Sequence, residues 1–116
     1  MAKRTIEPLL WLAFSAGGVV SALVLPALVL FVAIAIPIGW VPAPTYDHMD
    51  ALLGNPLSRV VVVAVVALSL FHWAHRFRYT LYDGLQIKHL NELVNTFCYG
   101  GAIVGSLIAI YLLVRL

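Results

Sequence analysis

Near the end of a long apolar stretch, four side chains that can donate hydrogen bonds stand three and four residues apart: His72, His75, Arg76 and Tyr79. Residues at this spacing lie on one face of a helix. Imidazole and guanidinium groups donate hydrogen bonds to oxygen acceptors, and imidazole also exchanges protons near neutral pH. The stripe therefore indicates a site for a small molecule that carries oxygen acceptors, in a reaction that moves protons. A second interpretation stays open, because Arg and His at the end of a membrane helix also anchor it to lipid headgroups.

The composition of the chain is that of a membrane protein. Of its 116 residues, 63% are hydrophobic and only 10% are charged, and the mean hydropathy is +1.01. A soluble domain of this size could not cover so apolar a surface with polar groups. The net charge of +2 is too small to indicate a nucleic-acid partner. We therefore predict an integral membrane protein, with the lipid bilayer as its surroundings.

The sequence does not contain a complete active site of a familiar kind. The single cysteine, Cys98, cannot form an internal disulfide, and its apolar surroundings predict a packing role. Asp47 and His48 could ligate a metal ion, but they stand alone in a polar loop, so we predict no metal site. The sequence also lacks the HExxH, CxxC and phosphate-loop motifs. The chain by itself is thus predicted to be non-catalytic.

Three apolar segments are long enough to cross a hydrocarbon core about 30 Å thick. We predict an all-α membrane protein whose residues 1–116 form one anchor domain, with spans at about residues 9–38, 57–82 and 94–114. Pro26 is expected to kink the first helix, and residues 41–56 are expected to form a polar loop. Small residues let helices approach closely in lipid. The faces around Gly17-Gly18 and Gly100-Gly101 are therefore predicted to pack against partner helices.

The distribution of basic residues predicts the orientation in the membrane. The N-terminal tail and the second loop together carry Lys3, Arg4, Arg76, Arg78 and Lys88, whereas the other side carries Arg59 and Arg115. Because Lys and Arg accumulate in cytoplasmic loops, we predict a cytoplasmic N-terminus and a C-terminus outside.

This orientation places the start of the first helix and the end of the second helix at one membrane depth. Trp11 is then expected at the depth of His75 and Arg76. An indole, an imidazole and a guanidinium at one depth suit a flat, lipid-soluble ring with two carbonyl oxygens, such as a quinone. We therefore predict that Trp11, His75 and Arg76 bind a quinone. An alternative is that Trp11 is an interfacial aromatic residue that never meets Arg76.

Several short motifs follow one another in a recognisable order. They are Glu7-Pro8-Leu9-Leu10-Trp11, Phe14-Ser15-Ala16-Gly17-Gly18, Pro37-Ile38-Gly39 and Ala74-His75-Arg76 with Asp83 after it. Together they resemble the D subunit of the bacterial four-subunit fumarate reductase, its small three-helix membrane anchor, over nearly the whole chain. The resemblance implies that Trp11, His75 and Arg76 line the quinone site nearest the iron–sulfur subunit. The chain departs from the family pattern after Arg76, where Arg78 and Tyr79 follow, and the resemblance gives those two residues no role.

The resemblance also implies a location, partners and cofactors: the chain would be a multi-pass protein of the bacterial cytoplasmic membrane. This chain and a second membrane anchor, the C subunit, would hold two further subunits at the membrane, a flavoprotein and an iron–sulfur protein. Menaquinone would bind at the interface with these partners, while FAD and the iron–sulfur clusters would lie only in the partner subunits, and no haem is expected. Menaquinol would be oxidised on the cytoplasmic side, and its electrons would reduce fumarate to succinate in anaerobic respiration. The assembly would be a quinol:fumarate reductase, an enzyme of the succinate dehydrogenase class.

Two other functions stay open from the sequence. A haem b-carrying anchor of a succinate dehydrogenase could use His72 or His75 as one axial ligand, with the second ligand from a partner. A structural or assembly membrane protein would account for the faces of small residues, but it would leave the clustered polar stripe unexplained. The visible absorption spectrum and the proteins that co-purify distinguish the three functions.

Overall fold

Three long helices dominate the computed structural model, which describes residues 6–116. The described chain forms the α-helices α1 (Glu7–Leu28), α2 (Tyr46–Gly54), α3 (Pro56–Gly84) and α4 (Asn91–Arg115), of which α2 is short. A π-helical segment at Val29–Ala35 follows α1, and a 3₁₀ turn at Lys88–Leu90 precedes α4. The segments Glu7–Ala35, Pro56–Gly84 and Lys88–Arg115 are each long and apolar enough to cross a membrane. This confirms the predicted all-α fold with three membrane spans. Lys3 and Arg4, which contribute to the predicted orientation, lie outside the described residues.

The last seven residues of the first span form a π-helix between two prolines. Pro26 lies inside α1, and the π-helical segment Val29–Ala35 ends just before Pro37. The backbone N–H of Ile36 donates to the carbonyl of Phe31, five residues earlier, at 3.0 Å. A proline has no N–H, and its ring presses against the carbonyl four residues before it, which for Pro37 is the carbonyl of Ala33 inside the π-helical segment. The widened segment therefore accommodates Pro37. Pro26 itself lies in the regular part of α1, where the carbonyl four residues before it is that of Ala22, and the kink predicted there stays a prediction.

The predicted polar loop contains a short helix, α2, so this part of the prediction was wrong. The hydroxyl oxygen of Thr45 accepts a hydrogen bond from the backbone N–H of His48 at 3.2 Å and caps the helix. Asp47 in the first turn complements the positive end of the helix dipole. With nine residues, α2 makes only about two and a half turns, which is too short for a clear hydrophobic periodicity.

The central helix α3 packs against both α1 and α4. Its contact with α4 is built on four small or medium side chains that are almost completely buried: Ala74, Val94, Cys98 and Ala102. Cys98 is fully buried in this cluster, which confirms its predicted packing role. Nearer the loop end of the two helices, the hydroxyl of Tyr82 donates to the amide oxygen of Asn95 at 3.0 Å. The pair joins α3 to α4 with a hydrogen bond that lipid could not supply.

The contact between α1 and α3 depends on Gly17 and Gly18. A Cβ atom at Gly17 would clash with the carbonyl oxygen of Leu68 and lie 2.9 Å from the Cβ of His72. A Cβ atom at Gly18 would lie 2.8 Å from Cε1 of the same histidine. The prediction that helices of a partner cover this face was wrong, because α3 of the same chain already covers it. At Gly100, by contrast, an added Cβ would meet no described atom within 4 Å.

Candidate functional site

A cavity of about 600 Å³ lies between α1, α3 and α4. Its walls are mostly apolar, with four polar side chains among them. The apolar part consists of Leu10, Trp11, Ala13, Phe14, Ala67, Leu68 and Phe71. The polar part consists of Glu7, His75, Arg78 and Tyr99. Small-molecule sites in proteins are typically cavities of roughly 300–1,000 Å³ with apolar walls and a few polar groups that orient the ligand. The cavity therefore has the size and lining of a binding site for a small, largely apolar molecule.

Aromatic rings on α1 hold the imidazole of His75 in place. The ring centroids of Trp11 and His75 are 5.9 Å apart with the planes at 76°, and Phe14 lies 4.6 Å from the same imidazole. Edge-to-face contacts of this kind favour one ring orientation. The structure thus brings together Trp11 and His75, two of the three residues that the sequence predicted for the site. Trp11 is still 60% exposed, so this wall of the cavity is not closed by the chain itself.

Arg78 supplies the positive charge of the cavity. Its Nη2 donates to the hydroxyl of Tyr79 at 3.1 Å, and its guanidinium carbon lies 4.6 Å from the centroid of the same ring. The guanidinium carbon is also 5.6 Å from the ring centroid of Tyr99 on α4. Contacts of a cation with aromatic rings at these distances are attractive. They fix a charged side chain against the cavity wall, and within residues 6–116 its buried Nε–H has no hydrogen-bond partner.

Two hydrogen-bond donors converge on Nδ1 of His75. Nη2 of Arg78 lies 3.3 Å from this nitrogen, and the hydroxyl oxygen of Tyr99 lies 3.1 Å from it. A guanidinium only donates, so Nδ1 accepts, and the proton of the neutral imidazole resides on Nε2. Nε2–H is therefore the group that His75 offers to a ligand in the cavity.

Arg76, the third residue predicted for the site, is exposed and lies outside the described lining of the cavity. Helix geometry explains the difference. The face of α3 towards the cavity runs through Ala67, Phe71, His75 and Arg78, at spacings of four, four and three residues. Arg76 is rotated by about 100° from His75 around the helix axis. Its role at a quinone stays a prediction, and among the described residues Arg78 is the arginine that lines the cavity.

His72, from the same sequence stripe, serves the contact between α1 and α3. Its Nδ1–H donates to the backbone carbonyl of Phe14 at 2.9 Å. The imidazole also stacks on the ring of Phe14, with centroids 4.4 Å apart and planes at 15°. His72 thereby supports Phe14, which in turn contacts His75, and it is not among the described residues that line the cavity.

Three of the polar lining residues, Glu7, Arg78 and Tyr99, were not predicted from the sequence. Arg78 follows His75 by three residues, and Glu7 precedes Trp11 by four, so both pairs have the spacing of neighbours on a helix face. This spacing was the available signal. Tyr99 comes from α4, and no local pattern in the sequence links it to His75.

The relatives of the chain identify its family. A family model for the D subunit of fumarate reductase matches residues 1–114. The chain belongs to the fumarate reductase D-subunit family. The D subunit of fumarate reductase from Mycobacterium tuberculosis is 46% identical over 114 residues, which cover 98% of this chain and 91% of that protein. The D subunit of the Haemophilus ducreyi enzyme is 36% identical over 81 residues, which cover 70% and 68% of the two chains.

Membership of this family confirms the resemblance that the motifs indicated. The chain is a membrane subunit of fumarate reductase, and a D subunit works in a complex with other subunits. The isolated fold agrees with this, because most side chains of the three spans are exposed in it. A D subunit of this shape leaves both the open wall beside Trp11 and the outer faces of its helices for lipid or for its partners.

Proposed function

We propose that this chain contributes to a site where menaquinol is oxidised, and that it anchors the catalytic subunits of fumarate reductase to the membrane. The observation that supports a quinol site is the cavity, where the neutral His75 and the cationic Arg78 lie beside an apolar and aromatic wall. A quinol has a matching pattern, because its apolar body carries polar groups only at its two ring oxygens.

The lining offers each part of a quinol a partner. Trp11, Phe14 and Phe71 present aromatic surface to a flat ring system. Nε2–H of His75 would donate to one ring oxygen. Arg78 would favour electron-rich oxygen at the same end, since a charge-assisted hydrogen bond is roughly twice as strong as a neutral one. Trp11 would adjoin the ring on the wall that the chain leaves open.

The proposed partners follow from the family and from the exposed helix faces of this chain. A second membrane anchor, the C subunit, would cover exposed helix faces, including the open surface at Gly100. The iron–sulfur subunit would receive the electrons, and the flavoprotein subunit would use them to reduce fumarate at its FAD. Both would lie on the cytoplasmic side, next to the end of α3 that carries His75 and Arg78.

We propose a cytoplasmic N-terminus and a C-terminus outside, from the asymmetry of Lys and Arg. A reporter enzyme fused after Leu116 should be active if it functions only outside the cytoplasm, and inactive if it functions only inside. The reverse pattern would overturn the orientation and would move the quinol site to the outer side of the membrane.

Purification of the tagged chain from its own host membranes tests the function as a whole. We expect the second membrane anchor, the iron–sulfur protein and the flavoprotein to co-purify, with flavin and iron–sulfur absorbance and fumarate reduction driven by menaquinol. Haem b absorbance that is lost in a His72→Leu or His75→Leu variant would support the succinate dehydrogenase alternative instead. Recovery of the chain with no flavin or iron–sulfur protein would support the structural alternative.

A further inference from the structure

We propose that Glu7 accepts one of the two protons that a quinol releases in this cavity, while His75 acts there only as a hydrogen-bond donor. The inference rests on the proposed function and assigns a residue to the exit of a proton. Two observations support it: the lining groups that are free to accept a proton, and the positions of those groups in the cavity.

His75 is poorly placed to be the proton acceptor. Its Nδ1 already accepts from Arg78 at 3.3 Å and from Tyr99 at 3.1 Å, and its Nε2 carries the imidazole proton. Protonation at Nδ1 would break the hydrogen bond from Arg78, would reverse the one with Tyr99, and would place a second positive charge beside the guanidinium. In a low-dielectric membrane protein, two like charges this close repel strongly. Arg78 itself has no lone pair to offer.

Glu7 is the one carboxylate among the described residues that line the cavity. It is the first residue of α1 and stands one turn before Trp11, at the end of the helix where the chain enters the predicted membrane span. Glu7 is exposed in the isolated chain. A carboxylate at this position faces the ligand on one side and has a route to water on the other, which is what a proton exit requires.

The reaction balances with one acceptor assigned to this chain. Oxidation of a quinol breaks two O–H bonds and releases two electrons and two protons. The electrons pass to the iron–sulfur protein and then to fumarate, which also takes up two protons to become succinate. The carboxylate of Glu7 takes the proton of the nearer hydroxyl and releases it to water. The other proton leaves to water at the cytoplasmic end of the cavity, through groups that this chain does not supply.

The test uses the purified complex of four subunits and three variants. Glu7→Gln should lower menaquinol-dependent fumarate reduction by about 100-fold, the lower end of what a positioned general base contributes. Binding of a quinone analogue and fumarate reduction with a soluble artificial donor should stay at wild-type values. Glu92→Gln is the matched control, because Glu92 is also in the first turn of a helix, at the same end of the bundle, but outside the described cavity lining. It should leave all three readouts unchanged.

Chemical rescue separates proton transfer from a structural role. In Glu7→Ala, added formate should restore menaquinol-dependent activity in proportion to its concentration, because a small carboxylate can occupy the space and take the proton. A Glu7→Gln variant as active as wild type would overturn the inference, and so would a loss of activity that formate does not restore. Failure of the proposed function itself looks different, because Arg78→Leu, which alters the cavity without touching the carboxylate of Glu7, would then also keep wild-type activity with menaquinol.

Discussion

Replacement of Arg78 by leucine is expected to cut menaquinol-dependent fumarate reduction by roughly one to two orders of magnitude. A hydrogen bond from a charged donor contributes about 1.5–3 kcal/mol, and each 1.36 kcal/mol of lost transition-state stabilisation is about a tenfold loss of rate. Arg78→Leu also removes the donor at 3.3 Å from Nδ1 of His75, so the tautomer that offers Nε2–H is less firmly held. The measurement is the ratio of menaquinol-dependent to artificial-donor-dependent activity in one preparation, which cancels differences in assembly.

Arg76→Leu is the matched control variant. It removes the same charge two residues before Arg78, from a side chain that is exposed. The geometry predicts a loss of less than about threefold, which corresponds to under 1 kcal/mol. The family resemblance predicts the larger loss at Arg76 instead. If Arg76→Leu shows the lower ratio and Arg78→Leu does not, the arginine of the site is the one that the motif names, and the cavity is rearranged in the assembled complex.

Lysine variants distinguish a ligand from a headgroup anchor. Arg78→Lys should recover only part of the activity, because the planar fork that donates to Tyr79 and His75 is lost. Contact with lipid headgroups asks only for positive charge. Full recovery in Arg78→Lys would therefore identify Arg78 as an anchor of α3.

Gly17→Ala is expected to destabilise the fold by about 1–3 kcal/mol, the range for an overpacked core, or by more. The new methyl group would clash with the carbonyl oxygen of Leu68, which is part of the α3 backbone and cannot rotate away. The two helices would have to separate, and Phe14 would lose its position against His72 and His75. Little assembled complex should survive detergent extraction and size-exclusion chromatography.

The control for Gly17→Ala is Gly105→Ala, at the other helix contact. A Cβ atom at Gly105 would lie 2.8 Å from Cδ1 of Leu70, which is the end of a flexible side chain. Rotation of that side chain relieves the contact, so the variant should assemble and melt nearly as the wild type does. Equal thermal stability of the two variants would show that the close approach of α1 and α3 is not needed for assembly.

The membrane spans could be predicted because lipid imposes them. Long apolar segments have to be helical where the bilayer offers no hydrogen-bond partners, so the valine-rich start of α3 is helical despite its preference for strands in water. Trp11 and His75 could be paired in the same way, since membrane depth follows from counting residues along two helices.

The remaining parts of the site depend on helix rotation and on contacts between distant residues. Arg76 and Arg78 have similar depth and equal charge, and only the rotation of α3 decides which one lines the cavity. The positions of the apolar residues Ala67 and Phe71 indicate which face of α3 lines the cavity better than the polar stripe does, because the cavity wall is mainly apolar. The contact of Tyr99 with His75 joins α4 to α3, and no spacing within one helix encodes it.

Photolabelling of the intact complex with an azido-naphthoquinone tests the central claim, that the cavity of this chain holds the quinol. We expect covalent label on two peptides, one with Leu10, Trp11 and Phe14 and one with Phe71, His75 and Arg78, and excess menaquinone should suppress it. A separate apolar groove at the other end of the bundle serves as an internal control, and Arg59, Val63 and Ile110 are among its lining residues. Label confined to that groove or to the partner subunits, with none on the two cavity peptides, would contradict the account.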